Sequence, residues 1–328
     1  MHSTELPNFT LTQKLANWAV TCHTPHAHIN LLLQILREEN LDVPKCSKTL
    51  LNTPRSCPVV TVSPGIYSHL GVEKGIIFML SHNNVRSETL PEILEISLNV
   101  DGLPISSSSN ASFWPIMALL NSKSACLKDP FIIGVYQGNG KPDNVTEYLD
   151  SCVKEMQHLY DNGLEYDNKQ FRVKVLNLIC DAPAKAFVLC VKGHNASHGC
   201  NKCYVEGGFG SKTMSFPDLN CALRNDHEYR TKLDDDYHKG TSPLEKLSYF
   251  DMIKNVPLDY MHLVLLGVGR KYISFLIKGK LGTRLLPFQQ DRLNTKLLKT
   301  KSNIPDDFAR KPREIYSIDR WKATEVKK

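Results

Sequence analysis

The chain has 328 residues, of which 41% are hydrophobic and 23% charged, with a formal net charge of +6. That length carries one large domain or two ordinary ones with real cores, and the composition is that of a globular protein rather than a disordered or fibrous one. No apolar run reaches the roughly 18 residues needed to span a bilayer. The N-terminus, MHSTELPNFTLTQ, lacks the charged and apolar regions of a signal peptide. An intracellular protein with no membrane partner is therefore expected. In a reducing compartment, ten cysteines do not imply a disulfide framework, and most are expected to be small buried hydrophobes. The basic charge is uneven: residues 270–328 hold sixteen Lys and Arg against six Asp and Glu. Such a stretch suits either a phosphate-tracking patch or a solvated helical face.

Along the chain, Leu11, Leu15, Trp18 and Ala19, then Ile29, Leu32, Leu33 and Leu36, fall near the 3.6-residue period. They predict two helices separated at Pro25. Pro44, Pro54, Pro58 and Pro64 mark turns over residues 41–90, so residues 1–90 are expected to form a small helical module with a connector. From residue 91 the pattern changes. Leu94, Ile96, Leu98 and Val100 alternate with Glu95, Ser97 and Asn99, a strand that runs into Asp101-Gly102. Further strands are expected over Ser112–Leu120 and Phe131–Gln137. A helix follows over Val145–Tyr160, capped by Asp143 or Asn144 and ended by Gly163. A strand over Phe171–Cys180 then stops at Asp181, and Pro183–Lys192 can be helical. Three strands, a helix, a strand and a helix make an α/β order, that of an RNase H-like fold, in which the first and fourth strands are neighbours.

Asp101 and Asp181 would then each close a strand and meet in space. Paired divalent ions about 3.5–4 Å apart can activate an attacking oxygen and stabilise a leaving one, and short rigid aspartates are suitable ligands. The alternative for Asp101-Gly102 is a simple turn. In GHNASHGCNKC, Cys200 and Cys203 have the spacing of half a tetrahedral zinc site, with His194 and His198 nearby. A redox pair or two core cysteines are the other readings. In PLDYMHL, Asp259 and His262 suit either a shared metal or a helix cap. Glu325 in RWKATE is either a third carboxylate ligand or an ordinary surface glutamate.

Taken together, these segments resemble transposases of the CACTA, or En/Spm, family in its animal-genome form. The words that carry the resemblance are VDGLP at Val100–Pro104, FWPI at Phe113–Ile116, PFIIGVYQGNGKP at Pro130–Pro142 and CDAPAKAF at Cys180–Phe187. They continue with KGHN at Lys192–Asn195, GCNKC at Gly199–Cys203, SPL at Ser242–Leu244, PLDYMHLVLLGV at Pro257–Val268 and RWKATE at Arg320–Glu325. The match spans roughly residues 90–325. It implies an RNase H-like DDE core beginning over 91–200. A mainly helical insertion region over 201–310 would carry the Cys-x-x-Cys and Asp-x-x-His signatures.

Asp101, Asp181 and Glu325 fall on the family's catalytic carboxylates. The resemblance implies Mg²⁺ or Mn²⁺ at the aspartates, with Asp259 and His262 as further metal ligands. By analogy with the cysteine pair of the vertebrate antigen-receptor recombinase, it also implies structural Zn²⁺ at Cys200 and Cys203. The implied activity is metal-dependent cleavage and strand transfer of double-stranded DNA, in the nucleus, by a homo-oligomer. The family continues past the WKATE word, whereas here residues 311–328 are expected to be the start of a truncated catalytic-glutamate helix. That departure supports a second expectation, a domesticated or decayed DNA-binding protein without activity. A plain zinc module is a third, and it leaves the two aspartates unexplained.

Overall fold

The computed structural model of the chain describes residues 9–106, 108–121, 127–210, 213–305 and 310–327. It comprises two compact units, Met1–Pro58 and Val59–Lys328.

The first unit holds α1 (Leu11–Thr21), α2 (His26–Glu38) and α3 (Ser47–Leu50). Thr10 and Gln13 form a reciprocal capping box at the start of α1, satisfying two of the N–H groups that a helix start leaves unpaired. Pro25 sits at the N-cap of α2, so the proline separates the helices as its fixed φ and missing N–H require. Ala19, Ile29, Leu33, Val43 and Leu50 form this unit's small core.

In the second unit a hairpin of β1 (Val60–Val62) and β2 (Gly65–His69) is followed by α4 (Val72–His82). Then come β3 (Ile93–Val100), β4 (Leu103–Pro104), β5 (Ala111–Asn121), β6 (Phe131–Asn139), α5 (Val145–Asp161), β7 (Leu164–Tyr166), β8 (Lys169–Ile179) and α6 (Ala182–Val188). The main sheet has the order β1-β2-β6-β5-β3-β8-β7, with β4 on β5. Its neighbours are antiparallel except β3 and β8, which run parallel. The mixed α/β class expected from the sequence is thus present. Residues 59–90 belong to this unit, since β2 pairs with β6 and α4 packs on α5.

The alternation in β3 has its expected result: Leu94, Ile96, Leu98 and Val100 are all buried. On α5, Tyr148, Leu149, Cys152, Val153, Met156 and Leu159 form one buried face, which covers the sheet at β8 and β6. Asn144 rather than Asp143 is the cap: its side chain accepts from Thr146 and Glu147 N–H. Gly163, at φ +82°, takes the left-handed position that stops a helix without strain. The helix after Asp181 ends at Val188, short of the expected Lys192, because Cys190 turns to φ +53°.

Close backbone approach fixes β2 on β6. A Cβ built on Gly65 would lie 2.0 Å from the Gln137 carbonyl oxygen, which belongs to backbone and cannot swing aside. Gly65→Ala is therefore expected to destabilise the sheet unit by about 1–3 kcal/mol. An unchanged urea midpoint would show that the hairpin adjusts freely.

Residues 201–256 depart from the mainly helical expectation. They contain a small hairpin of β9 (Gly208–Gly210) and β10 (Thr213–Ser215), the short α7 (Asp226–Arg230) and a 3₁₀ turn at Pro243–Lys246. Asp and Asn side chains bond back to nearby N–H groups here, as Asp218 does to Asn220 and Asp251 to Ile253 and Lys254. Such local bonds compete with helix continuation. Longer helices begin with a π-helix at Tyr260–Gly269, followed by α8 (Arg270–Lys278), α9 (Pro287–Lys299) and, after a 3₁₀ turn at Ile315–Arg320, α10 (Ala323–Val326). No helix among the described residues is long and apolar enough to cross a membrane.

Candidate functional site

The site is built at one end of the β3–β8 pair. Parallel register couples Asn99 to Ile179, and the Asn99 side-chain amide donates to the Ile179 carbonyl at 2.8 Å. Two residues further on, each strand delivers an aspartate, Asp101 from β3 and Asp181 from β8. Neighbouring strands lie about 4.8 Å apart, so residues 80 apart in sequence become neighbours in space.

The two carboxylates are held differently. Asp101 Oδ1 accepts from the Gly102 N–H at 2.8 Å. Gly102 packs against the Trp114 indole, where a Cβ would come within 2.9 Å of the ring, so this Asp-Gly serves close packing and not a left-handed turn. Asp181 caps α6, its Oδ1 accepting from Ala184 N–H at 2.8 Å.

A second segment reaches the same place. Asp259 caps the π-helix by accepting from Met261 N–H at 2.8 Å, and its other oxygen bonds His262 Nδ1. Burial pushes the Asp101 carboxyl above the usual carboxylate range. The charges of Asp181 and Asp259 add to this, while the Gly102 N–H and His262 oppose it. Between the strands' ends, burial drives the Cys180 thiol up to about 12. Asp181, Asp259 and His262 line a cavity of about 690 Å³ together with His194, Cys200, Lys185 and Lys202. Apolar walls come from Val205, Phe216, Leu258 and Leu263. The tertiary structure therefore gathers Asp101, Asp181, Asp259 and His262 into one neighbourhood.

Glu325 is engaged by Arg313. Its carboxylate side chain is only 1% exposed and accepts from Arg313 at 2.6 and 2.8 Å and from the Lys322 N–H at 2.8 Å. The Arg313 bonds, with the Lys322 N–H, hold it below the ordinary glutamate range against the opposing effect of burial. A carboxylate lowered on folding adds stability above its unfolded pKa, and that stability is lost as pH falls through the folded value. Protection of residues 310–327 is therefore expected to drop as pH falls below the ordinary glutamate range, and Glu325→Gln to remove that pH dependence. Hydrogen exchange corrected for intrinsic rates reads both; identical profiles would refute the coupling.

The cysteines follow the expectation only in part. Among the described residues, Cys152 and Cys180 are buried, whereas Cys22 and Cys57 are exposed; Cys126 lies outside the described residues. Exposed helix ends and loops offer these thiols no core to enter. The Cys200 and Cys203 sulfurs are 3.4 Å apart. Their loop is held by Arg224, whose Nε donates to the Cys200 and Cys203 carbonyls at 3.0 and 3.1 Å. The Cys221 thiol is raised chiefly by the Asp218 carboxylate that its sulfur bonds, with the Cys203 and Cys200 charges adding to this.

Among the described residues, no three His, Cys, Asp or Glu side chains are grouped to hold a metal ion. Two thiols supply half of a tetrahedral zinc site, so the cysteine pair does not by itself fit zinc. The aspartates fit a different ion. Mg²⁺ takes one or two protein carboxylates and fills the rest with water and substrate phosphate. Burial first, and then the charges of Asp181 and Asp259, raise Asp101, and a cation there would relieve the part due to charge.

Neither Lys185 nor Arg224 stands out in the sequence. The only signal for Lys185 is its position four residues after Asp181, one helical turn away. Arg224 carries none, because its partners come from two separate segments, 200–204 and 234–237. Compared with known proteins, the chain matches no protein-family model, and no curated protein matches it.

Proposed function

We propose that this protein is a CACTA-type transposase chain. Its RNase H-like core would use Asp101 and Asp181 to hold Mg²⁺ or Mn²⁺ for cleavage and strand transfer of double-stranded DNA. The observation that carries the reading is the placement of these aspartates just beyond the ends of two adjacent parallel strands. The strand order supports it: three antiparallel strands, then a crossover through α5 that returns β8 beside β3.

A bound metal would activate the attacking oxygen and stabilise the leaving one. The chain's own part is positional. β3 and β8 fix the spacing of the two carboxylates, and the α6 cap holds Asp181 in one orientation. Asp259 takes His262 Nδ1, which leaves Nε2 as the ring nitrogen available to substrate or water.

The test is nicking of duplex DNA carrying the element's terminal repeats, in Mg²⁺ or Mn²⁺ and in chelator. Metal-dependent nicking supports the proposal, and its absence overturns the catalytic part. The engagement of Glu325 by Arg313 favours a second reading, a DNA-binding protein that keeps the fold without cutting. Duplex binding without nicking, under the same conditions, selects that reading.

A further inference from the structure

We infer that Lys185 is the cation that receives a DNA phosphate at this site, contacting a phosphodiester oxygen of the strand laid over Asp101 and Asp181. The inference rests on the DNA-cleaving reading of the same aspartates.

Three observations lead to it. Lys185 stands one turn along α6 from the Asp181 cap, its N–H donating to the Asp181 carbonyl at 2.9 Å. Residues four apart share a helix face, and Lys185 lines the cavity that Asp181 and Asp259 also line. Its ammonium feels the charges of Asp259 and Asp181, so it lies in the field of the carboxylate site.

The Lys185 ammonium also has no partner among the described residues. Three lysines line this cavity. Lys202 spends its ammonium on the Ile253 and Val256 carbonyls at 2.5 and 2.7 Å, which ties its loop to the segment before the π-helix. Lys192 pairs with Asp236 at 3.3 Å. The Lys185 ammonium makes no hydrogen bond and no ion pair among the described residues. Burial lowers its pKa, with the nearby thiol and carboxylate charges opposing the shift. A half-buried ammonium with unmet donors is costly to keep, and an entering anion would relieve it. A plain carboxylate would be repelled by Asp181 and Asp259. A phosphodiester shared with a metal on the aspartates would not be, and lysine serves as a point charge for phosphate. The apolar walls at Phe216, Leu258 and Leu263 offer the attached sugar and base a dry surface.

The test measures binding of a fluorescein-labelled terminal-repeat duplex, without metal, across a salt series. The chains compared are wild type, Lys185→Met and Lys185→Arg, each first shown to melt like wild type. Loss of one phosphate contact should lower the slope of log affinity against log salt by about one, with Lys185→Arg restoring it. In Mn²⁺, nicking by Lys185→Met should fall about 10²-fold, the loss seen when one preorganised donor is removed. Wild-type affinity, slope and nicking in Lys185→Met would overturn the inference.

If wild type binds no DNA, the nuclease reading fails on its own, and pyrophosphate calorimetry decides the lysine separately. Heat with wild type that is absent with Lys185→Met keeps Lys185 as a phosphate site for a free ligand. No heat with either chain overturns it. If Lys185→Met melts early, Lys185→Arg carries the decision: a folded arginine variant with a wild-type slope supports the contact, and one that loses binding overturns it.

Discussion

Asp181→Asn is expected to abolish metal-dependent nicking, by at least about 10²-fold, while leaving the fold untouched. The two effects separate because Asp181 has one structural job and, under the proposed function, a second. As the cap of α6 it accepts one backbone hydrogen bond from Ala184, and asparagine caps helices as well as aspartate does. As the proposed metal ligand it would have to be anionic, and the neutral amide would fail. Asp181→Ala would lose both and cost about 1 kcal/mol through the cap alone, so it is the less informative change.

Asp101→Asn has a sharper signature. Burial and two neighbouring carboxylates raise the folded pKa of Asp101. The ionised form is thus disfavoured on folding, and stability is lost as pH rises through the folded value. Removing the charge should stabilise the protein at neutral pH while removing activity. Sites that gain stability as they lose function hold strain for function. Nicking by either variant at the wild-type rate, measured beside its thermal melt, would reduce both aspartates to structural roles.

Arg224→Leu is expected to be the most damaging single change to the region that carries Cys200 and Cys203. The Arg224 side chain is 4% exposed and pairs with Asp234 at 2.6 Å. Its guanidinium lies 4.4 Å from the Tyr204 ring and 4.0 Å from that of Tyr237, and it also binds two carbonyls of the cysteine loop. Burial pushes Asp234 up, but Arg224, His198 and the Tyr237 N–H together hold it below the usual range. Taking away the arginine leaves that partly buried carboxylate without its main counter-charge. Breaking such a pair from one side costs about 3–5 kcal/mol, or roughly 10 °C in a domain of this size. Thermal melts and the alkylation rate of Cys200 and Cys203 read the two consequences. A variant that melts within 2–3 °C of wild type, at roughly 1 kcal/mol of change, with cysteines no more reactive, would show that the loop holds itself.

How much of this was legible beforehand depends on the range of the physics. Local patterns carried far. The period-2 alternation from Leu94 to Val100 placed β3 and its buried face, and the amphipathic run after Asn144 placed α5. A proline set the break between α1 and α2. In each case the determining contacts lie within a few residues. Side-chain periodicity and backbone restriction are properties of the chain itself.

The pairing of partners was not local. The sequence by itself determined that Asp101 and Asp181 end strands. Only the tertiary structure decided that those strands are neighbours in parallel register, because a parallel pair needs a long crossover whose return point no local pattern states. It likewise brought Asp259 and His262 to Asp101 from the start of a distant helix, and it paired Glu325 with Arg313. Lys185 gained its meaning in the same way. As a letter it is one of forty basic residues. Folded, it is a half-buried ammonium in the cavity that Asp181 and Asp259 line, with no counter-charge in contact among the described residues.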